Sequence, residues 1–243
     1  LPGQLPDSRA ELGRPEGDDG VARRQRDGGP SGFTNGVVPY ERVAEVTAAY
    51  ARGVARCSDG EWVVAAMTSN HKLSDAAMAS RFGTEWGELA KRAQEIADVD
   101  RVQIAAGSDE EPARGPYDAA RAWSEAAYAT GARLAYTPSA DGCPTEGHRP
   151  CANEWGIGAL AYLMWGIDED AVVMPQVYRE VMAEQWGRIA EVWRESGKNP
   201  KFAGSLSQRG ACLVTQQKPC LSIGPKKSEA LLERAVGGEI PPG

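Results

Sequence analysis

The chain has 243 residues, with 27 Lys and Arg against 34 Asp and Glu, for a formal net charge of −7. That length can bury a substantial core as one large domain or two small ones, and the acidic balance argues against gripping nucleic acid or an anionic membrane through bulk charge. No run of about 18 apolar residues is present to make a transmembrane helix, and five cysteines are too few for a disulfide-built miniprotein.

Residues 1–36 hold eight Gly and four Pro among mixed charges. Such a stretch buries too little to offset its ordering entropy and reads as a flexible tail. From Tyr40 the texture changes. Val43, Val46, Thr47, Tyr50 and Val54 recur at helical spacing, which predicts an amphipathic helix ending near Cys57. Trp62–Met67 is an apolar run of strand length, and a helix follows from an N-cap at Ser74 to Ala97. Arg101–Ala106 reads as a strand. Tyr117–Thr130 reads as a helix with Ala120, Trp123, Ala127 and Tyr128 on one face, and Arg133–Thr137 as a strand. Trp155–Leu163 suggests a short helix running into a strand at Tyr162–Gly166, with a further strand at Ala171–Pro175. Tyr178–Ser196 reads as a helix with Val181, Trp186, Ile189 and Trp193 inward. Lys201–Leu206 is the last expected strand, and Ser228–Val236 a closing helix.

Strands alternating with amphipathic helices predict parallel α/β architecture. The expected fold is a (β/α)8-like barrel spanning residues 37–243 as a single domain. With six strands and about 200 residues it falls short of the usual eight strands and about 250 residues, so a degenerate or N-terminally incomplete barrel is expected. A doubly wound sheet is disfavoured, because no Gly-x-Gly-x-x-Gly or Walker loop follows any strand.

Four cysteines form two local pairs, Cys143 with Cys151 and Cys212 with Cys220, each bracketing a loop with Pro or Gly. Zinc sites use tighter pairs with nearby His, and the only histidines are His71 and His148. Two loop-closing disulfides are the better reading and imply an oxidising compartment. Cys57 is left over, either as a buried free thiol or with a partner beyond this sequence. Leu1 stands where an initiator Met would, so we expect a processed chain, with export inferred from the cysteines.

In barrels the chemistry sits where strands end at their C-termini. The sharpest element there is Asp109-Glu110-Glu111-Pro112. In an extended segment, residues two apart point the same way about 6.6 Å apart. Asp109 and Glu111 then share a face while Glu110 points away. Two close carboxylates cannot both ionise freely, so one pKa should rise, which supplies the acid and the anionic stabiliser that glycosidic cleavage requires. The plainer reading is an acidic turn ended by proline. Asp141 follows the next strand but also suits a turn. Asn70 and His71 follow the first strand as candidate substrate contacts. Trp155, Trp165 and Tyr178 offer a sugar-stacking platform or simply core. Ser205 and Ser207 lack a nucleophile-elbow context, and no pairing shows metal-ligand spacing.

The set Thr68-Ser69-Asn70, Asp109-x-Glu111-Pro112, Ser139-Ala140-Asp141-Gly142-Cys143-Pro144, Cys151-x-Asn153-x-Trp155, Trp165-Gly166, Pro175-Gln176-Val177-Tyr178 and Gln185-Trp186 resembles a family of secreted bacterial proteins with glycoside-hydrolase-like barrels. The resemblance covers roughly residues 40–206. The Asp-x-Glu element is also similar to the acidic motif of barrel lysozymes and chitinases, although Glu110 stands where those carry a hydrophobic residue. The family also carries more sequence upstream, which the resemblance implies would supply the missing strands and a partner for Cys57.

The function expected from these residues is a secreted glycoside hydrolase acting on a cell-wall polysaccharide or related glycan. Glu111 would protonate the leaving oxygen and Asp109 would stabilise the developing positive charge. Asp141, Gln176 and Tyr178 would bind sugar hydroxyls, and Trp165 would stack on a ring. No cofactor, metal, nucleic acid or membrane insertion is expected. The alternative is a glycan-binding or surface interaction module that does not cleave.

Overall fold

The computed structural model describes residues 23–25, 29–31, 38–69, 75–214, 216 and 219–238. Within the stretch read as a tail, β1 (Arg23–Gln25) and β2 (Gly29–Ser31) pair as a short antiparallel ribbon; the rest of 1–36 lies outside the described residues. The main body runs α1 (Tyr40–Cys57), β3 (Trp62–Ser69), α2 (Ala76–Ala97), β4 (Val102–Asp109), α3 (Tyr117–Ala129), β5 (Leu134–Tyr136), α4 (Ile157–Trp165), β6 (Val172–Val173), α5 (Glu180–Glu195), α6 (Arg209–Val214) and α7 (Pro225–Val236).

The sheet order is β3-β4-β5-β6, and every pairing is parallel. Each strand lies beside the one before it, without reversal of direction. This is an α/β fold with a four-stranded parallel sheet and seven helices among the described residues.

Two of the six expected strands are not strands. Tyr162–Gly166 falls in helix α4, whose sequence Ile-Gly-Ala-Leu-Ala-Tyr-Leu-Met-Trp is apolar nearly all round. Periodicity cannot separate such a run from a buried strand, and here every residue but Gly158, Ala159 and Tyr162 is buried. Residues 201–206 stay extended without forming a full strand. They run beside the end of β6 through Ala203 N–H to Val173 O (2.9 Å), Leu206 N–H to Pro175 O (2.9 Å) and one parallel bridge between Gln176 and Leu206.

Helix α1 is buried on a face turned one position from the one expected, with Val43 and Val54 of the expected face packed partly buried against the core. Ala44, Ala48, Ala51 and Ala55 face the core, while Val46 and Tyr50 are exposed. Small side chains at this spacing let the helix lie close against its neighbours, and burial followed close approach rather than side-chain hydropathy. In α5 Met182 is buried and Val181 is 43% exposed, and Tyr128 of α3 stays exposed while Ala120, Trp123 and Ala127 are buried. Helix α2 is capped by Asp75, whose side chain accepts from Met78 N–H at 2.7 Å; Ser74 lies outside the described residues.

Polar anchors seat the helices on the sheet. Trp86 of α2 donates its indole N–H to the Ala66 carbonyl at 2.7 Å. Gln94 donates to the Val99 and Val102 carbonyls and accepts from Ile104 N–H at 2.6 Å, tying α2 to the start of β4. Buried Asp168 accepts from Leu134 N–H (2.9 Å) and Asp170 N–H (3.0 Å), anchoring the start of β5. These bonds satisfy backbone groups that would otherwise be buried without partners.

Candidate active site

Because the strands are parallel and in register, their C-terminal ends meet at one edge. Register pairs Ser69 with Asp109 and Ser108 with Tyr136. Side chains alternate across a strand, so Val64, Ala66 and Thr68 share a face with Ile104, Ala106, Ser108 and Glu110. Val64, Ala66, Ile104 and Ala106 are packed into the hydrophobic core. Met67, Gly107 and Asp109 lie on the opposite face. A Cβ at Gly107 would come within 2.3 Å of the Met67 sulfur, so the glycine lets Met67 lie across β4 just before Asp109.

Asp109 is the centre of that opposite face. Its Oδ1 accepts from the Gln176 amide at 2.6 Å and from the Thr137 hydroxyl at 3.5 Å. Gln176 also donates to the Thr137 carbonyl at 2.9 Å, so one amide ties the ends of β4, β5 and β6 together. Burial pushes the Asp109 carboxyl up to about 7, helped by the charges of Glu111 and Glu110 and opposed by the donors Gln176 and Thr137. The expected rise in one carboxyl pKa therefore falls on Asp109.

Glu111 lies within electrostatic reach of Asp109. It forms a 2.9 Å ion pair with Arg114, whose side chain is about half exposed while that of Glu111 is mostly covered. Tyr178 faces the same cluster. Its hydroxyl is pushed up first by burial, then by the charges of Asp109, Glu111 and Asp141, and is opposed by a hydrogen bond with Gln208. Asp109, Glu111, Asp141, Gln176 and Tyr178 are thus brought together from three successive strand ends and their loops.

Other expected residues do not serve as expected. Trp165 is 3% exposed, donates to the Lys201 carbonyl at 2.7 Å, and packs on Phe202 and Trp193. It is core, not a sugar platform. Trp155 is equally buried, with its indole on the Gly115 carbonyl. Gln176 spends its amide on Asp109 and Thr137, so it holds the acid rather than offering those donors to a sugar. Asn70 and His71 lie outside the described residues.

Glu110, expected to point away, does leave the Asp109 face, but inward rather than to solvent. It is 1% exposed and accepts from the Ser108 hydroxyl at 2.6 Å. Both sheet faces are covered here, so the residue between the two acids is forced into the protein.

Both expected disulfides form, Cys143–Cys151 and Cys212–Cys220, with Cys57 free and exposed rather than buried. Two disulfides fit an oxidising environment. Among the described residues no helix is long and apolar enough to cross a membrane, and no group of three or more His, Cys, Asp or Glu is placed to hold a metal ion.

Sequence reasoning did not single out Thr137, Arg114 or Gln208 as parts of this site. Thr137 carried a signal, since register places it beside Asp109 once β4 and β5 are paired. Arg114 also carried one, three residues after Glu111. Gln208 carried one as a polar residue just after the last expected strand, but only the chain path after residue 206 brings it to Tyr178.

No protein-family model matches the chain, and no curated protein is similar to it at a significant level.

Proposed function

We propose that the protein is a secreted glycoside hydrolase that cleaves a cell-wall polysaccharide or related glycan with the carboxyl pair Asp109 and Glu111. The observation that carries this reading is the Asp109 carboxyl held near pKa 7 beside a second carboxylate at the C-terminal edge of a parallel sheet. Burial thus pushes one member of the pair toward its protonated form, while the other forms an ion pair with Arg114. Glycosidic cleavage needs that division between a proton donor and a stabilising carboxylate.

The roles run opposite to those expected from spacing. Oδ1 of Asp109 accepts from Gln176 and Thr137, which leaves Oδ2 to carry the proton toward the leaving oxygen. Glu111 supports positive charge at the anomeric carbon. Asp141 and the Tyr178 hydroxyl hold sugar hydroxyls. We further propose that the sheet is part of a degenerate (β/α) barrel wall of the glycoside-hydrolase-like family. The unreversed order of parallel strands, extended by residues 203–206, supports this.

The test is a screen of the oxidised protein against peptidoglycan, chitin and α- and β-glucans, with Asp109→Asn and Glu111→Gln alongside. Both variants should lose cleavage of the natural glycan by about 100-fold or more, the usual weight of acid–base catalysis. Asp109→Asn should keep activity on an aryl glycoside whose leaving group needs no proton. Full glycan cleavage by either variant would overturn the assignment.

A non-cleaving glycan-binding module is favoured by one observation, the Glu111–Arg114 ion pair, which turns Glu111 toward a cation. That reading expects glycan retention by the protein without release of reducing ends.

A further inference from the structure

Two loops frame the carboxyl pair. The first, after β4, carries Glu111, Pro112 and Arg114; the second, after β5, carries Asp141 and is closed by the Cys143–Cys151 disulfide. They are joined by three hydrogen bonds: Ser139 N–H to Glu110 O (2.9 Å), the Asn153 side-chain amide to Pro112 O (2.8 Å) and the Trp155 indole to Gly115 O (2.9 Å). Of these, the Asn153 bond lands on the residue directly after Glu111.

Asn153 is held there by an unusual backbone. It has φ 50° and ψ 33°, and Glu154 follows at φ 59°. Left-handed conformations are disfavoured for residues with a Cβ, Asn being among the more tolerant, and they persist where surrounding contacts over-determine them. Those contacts are visible. Ala152 N–H bonds to Asp141 O and Cys151 N–H to Trp155 O, both at 2.8 Å. Gly142, itself at φ 68°, admits this approach, since a Cβ there would meet Ala152 N at 2.9 Å. Trp155 is fixed in turn by an edge-on contact with Tyr117, ring centroids 5.5 Å apart.

We infer that Asn153 is a positioning residue of this site: its hydrogen bond to Pro112 sets where Glu111 stands relative to Asp109, and the Cys143–Cys151 disulfide holds Asn153 in the conformation that makes that bond. The inference rests on Asp109 and Glu111 being the working pair. It adds that their spacing is set from outside β4, by a loop whose disulfide closes just before Asn153. Asn153 touches no reacting atom; it acts through Glu111.

The test is the titration midpoint of the Asp109 carboxyl, read by carbon-13 NMR in the full oxidised chain, so it needs no substrate. Asn153→Gly keeps the left-handed backbone accessible and deletes only the amide, with Asn153→Ala as a second variant should the first not fold. Loss of the bond frees Glu111 to move away, so the Asp109 midpoint should fall by about half a unit or more, since a like charge raises a carboxyl pKa only at close range. In a Glu111→Gln background the same substitution should move the midpoint no further. An unchanged midpoint in Asn153→Gly, or an equal shift with and without Glu111, would overturn the inference. Failure of every glycan in the screen would sink the hydrolase reading while leaving this result to stand on its own.

Discussion

Gln176 Nε2 donates a 2.6 Å hydrogen bond to Oδ1 of Asp109, joining residues 67 apart in the chain. A donor aimed at a carboxylate favours its charged form, so Gln176 works against the burial that raises Asp109. Replacing Gln176 with Leu removes that donor. The Asp109 midpoint should then climb above its starting value of about 7, measured by NMR titration. A midpoint that stays put or falls would show that the amide does not serve the carboxylate.

Asp109 should also leave a mark on stability. The folded state binds its proton up to about pH 7, whereas an unfolded aspartate releases it near pH 4, at about 3.9. The folded state therefore holds more protons across this window, and stability falls as pH rises from about 4 to about 7. Asp109→Asn removes that dependence. The variant should match the parent near pH 4 and melt several degrees higher at pH 8, since a pKa unit is worth about 1.4 kcal/mol and 1 kcal/mol moves Tm by roughly 2–4 °C at this size. Parallel melting curves across pH would refute the shifted carboxyl.

Trp165 belongs to the core with Phe202 and Trp193. Trp165→Ala should cost roughly 3–5 kcal/mol in chemical denaturation, as expected for a buried aromatic, while the Asp109 midpoint stays where it is. A variant of normal stability that failed to bind glycan would restore Trp165 as a sugar platform.

Cys57 is free and exposed, whereas the other four cysteines are paired. Native, unreduced protein should take up one equivalent of a maleimide, and reduced, unfolded protein five. Uptake of more than one equivalent before reduction would mean that a disulfide is open.

Much of the site was legible before any fold was known. Asp109 and Glu111 stood out because a period of two in a strand is a strong rule, and proline after them marked where the strand had to stop. The cysteine pairs were legible because a separation of eight residues suits a loop and not a metal. The apolar run at Ile157–Trp165 was not legible as a helix, since an element buried all round has no polar face to show its period. Helix α1 misled in a related way. Its alanines carry little hydropathy signal, yet they mark the face that came closest to its neighbours.

The sequence alone therefore determined which residues have chemistry to offer and that the scaffold alternates strand and helix, because composition and periodicity are local properties. Tertiary structure decided that Asp109 is a carboxyl pushed up by burial. Asp109 is raised because the ends of β4, β5 and β6 close around it, while Glu111 meets Arg114 nearer the surface. It also turned Trp165 into core and gave Gln176 to Asp109 across 67 residues. Burial and electrostatic reach depend on what packs nearby in space, and neighbours in the chain do not report that.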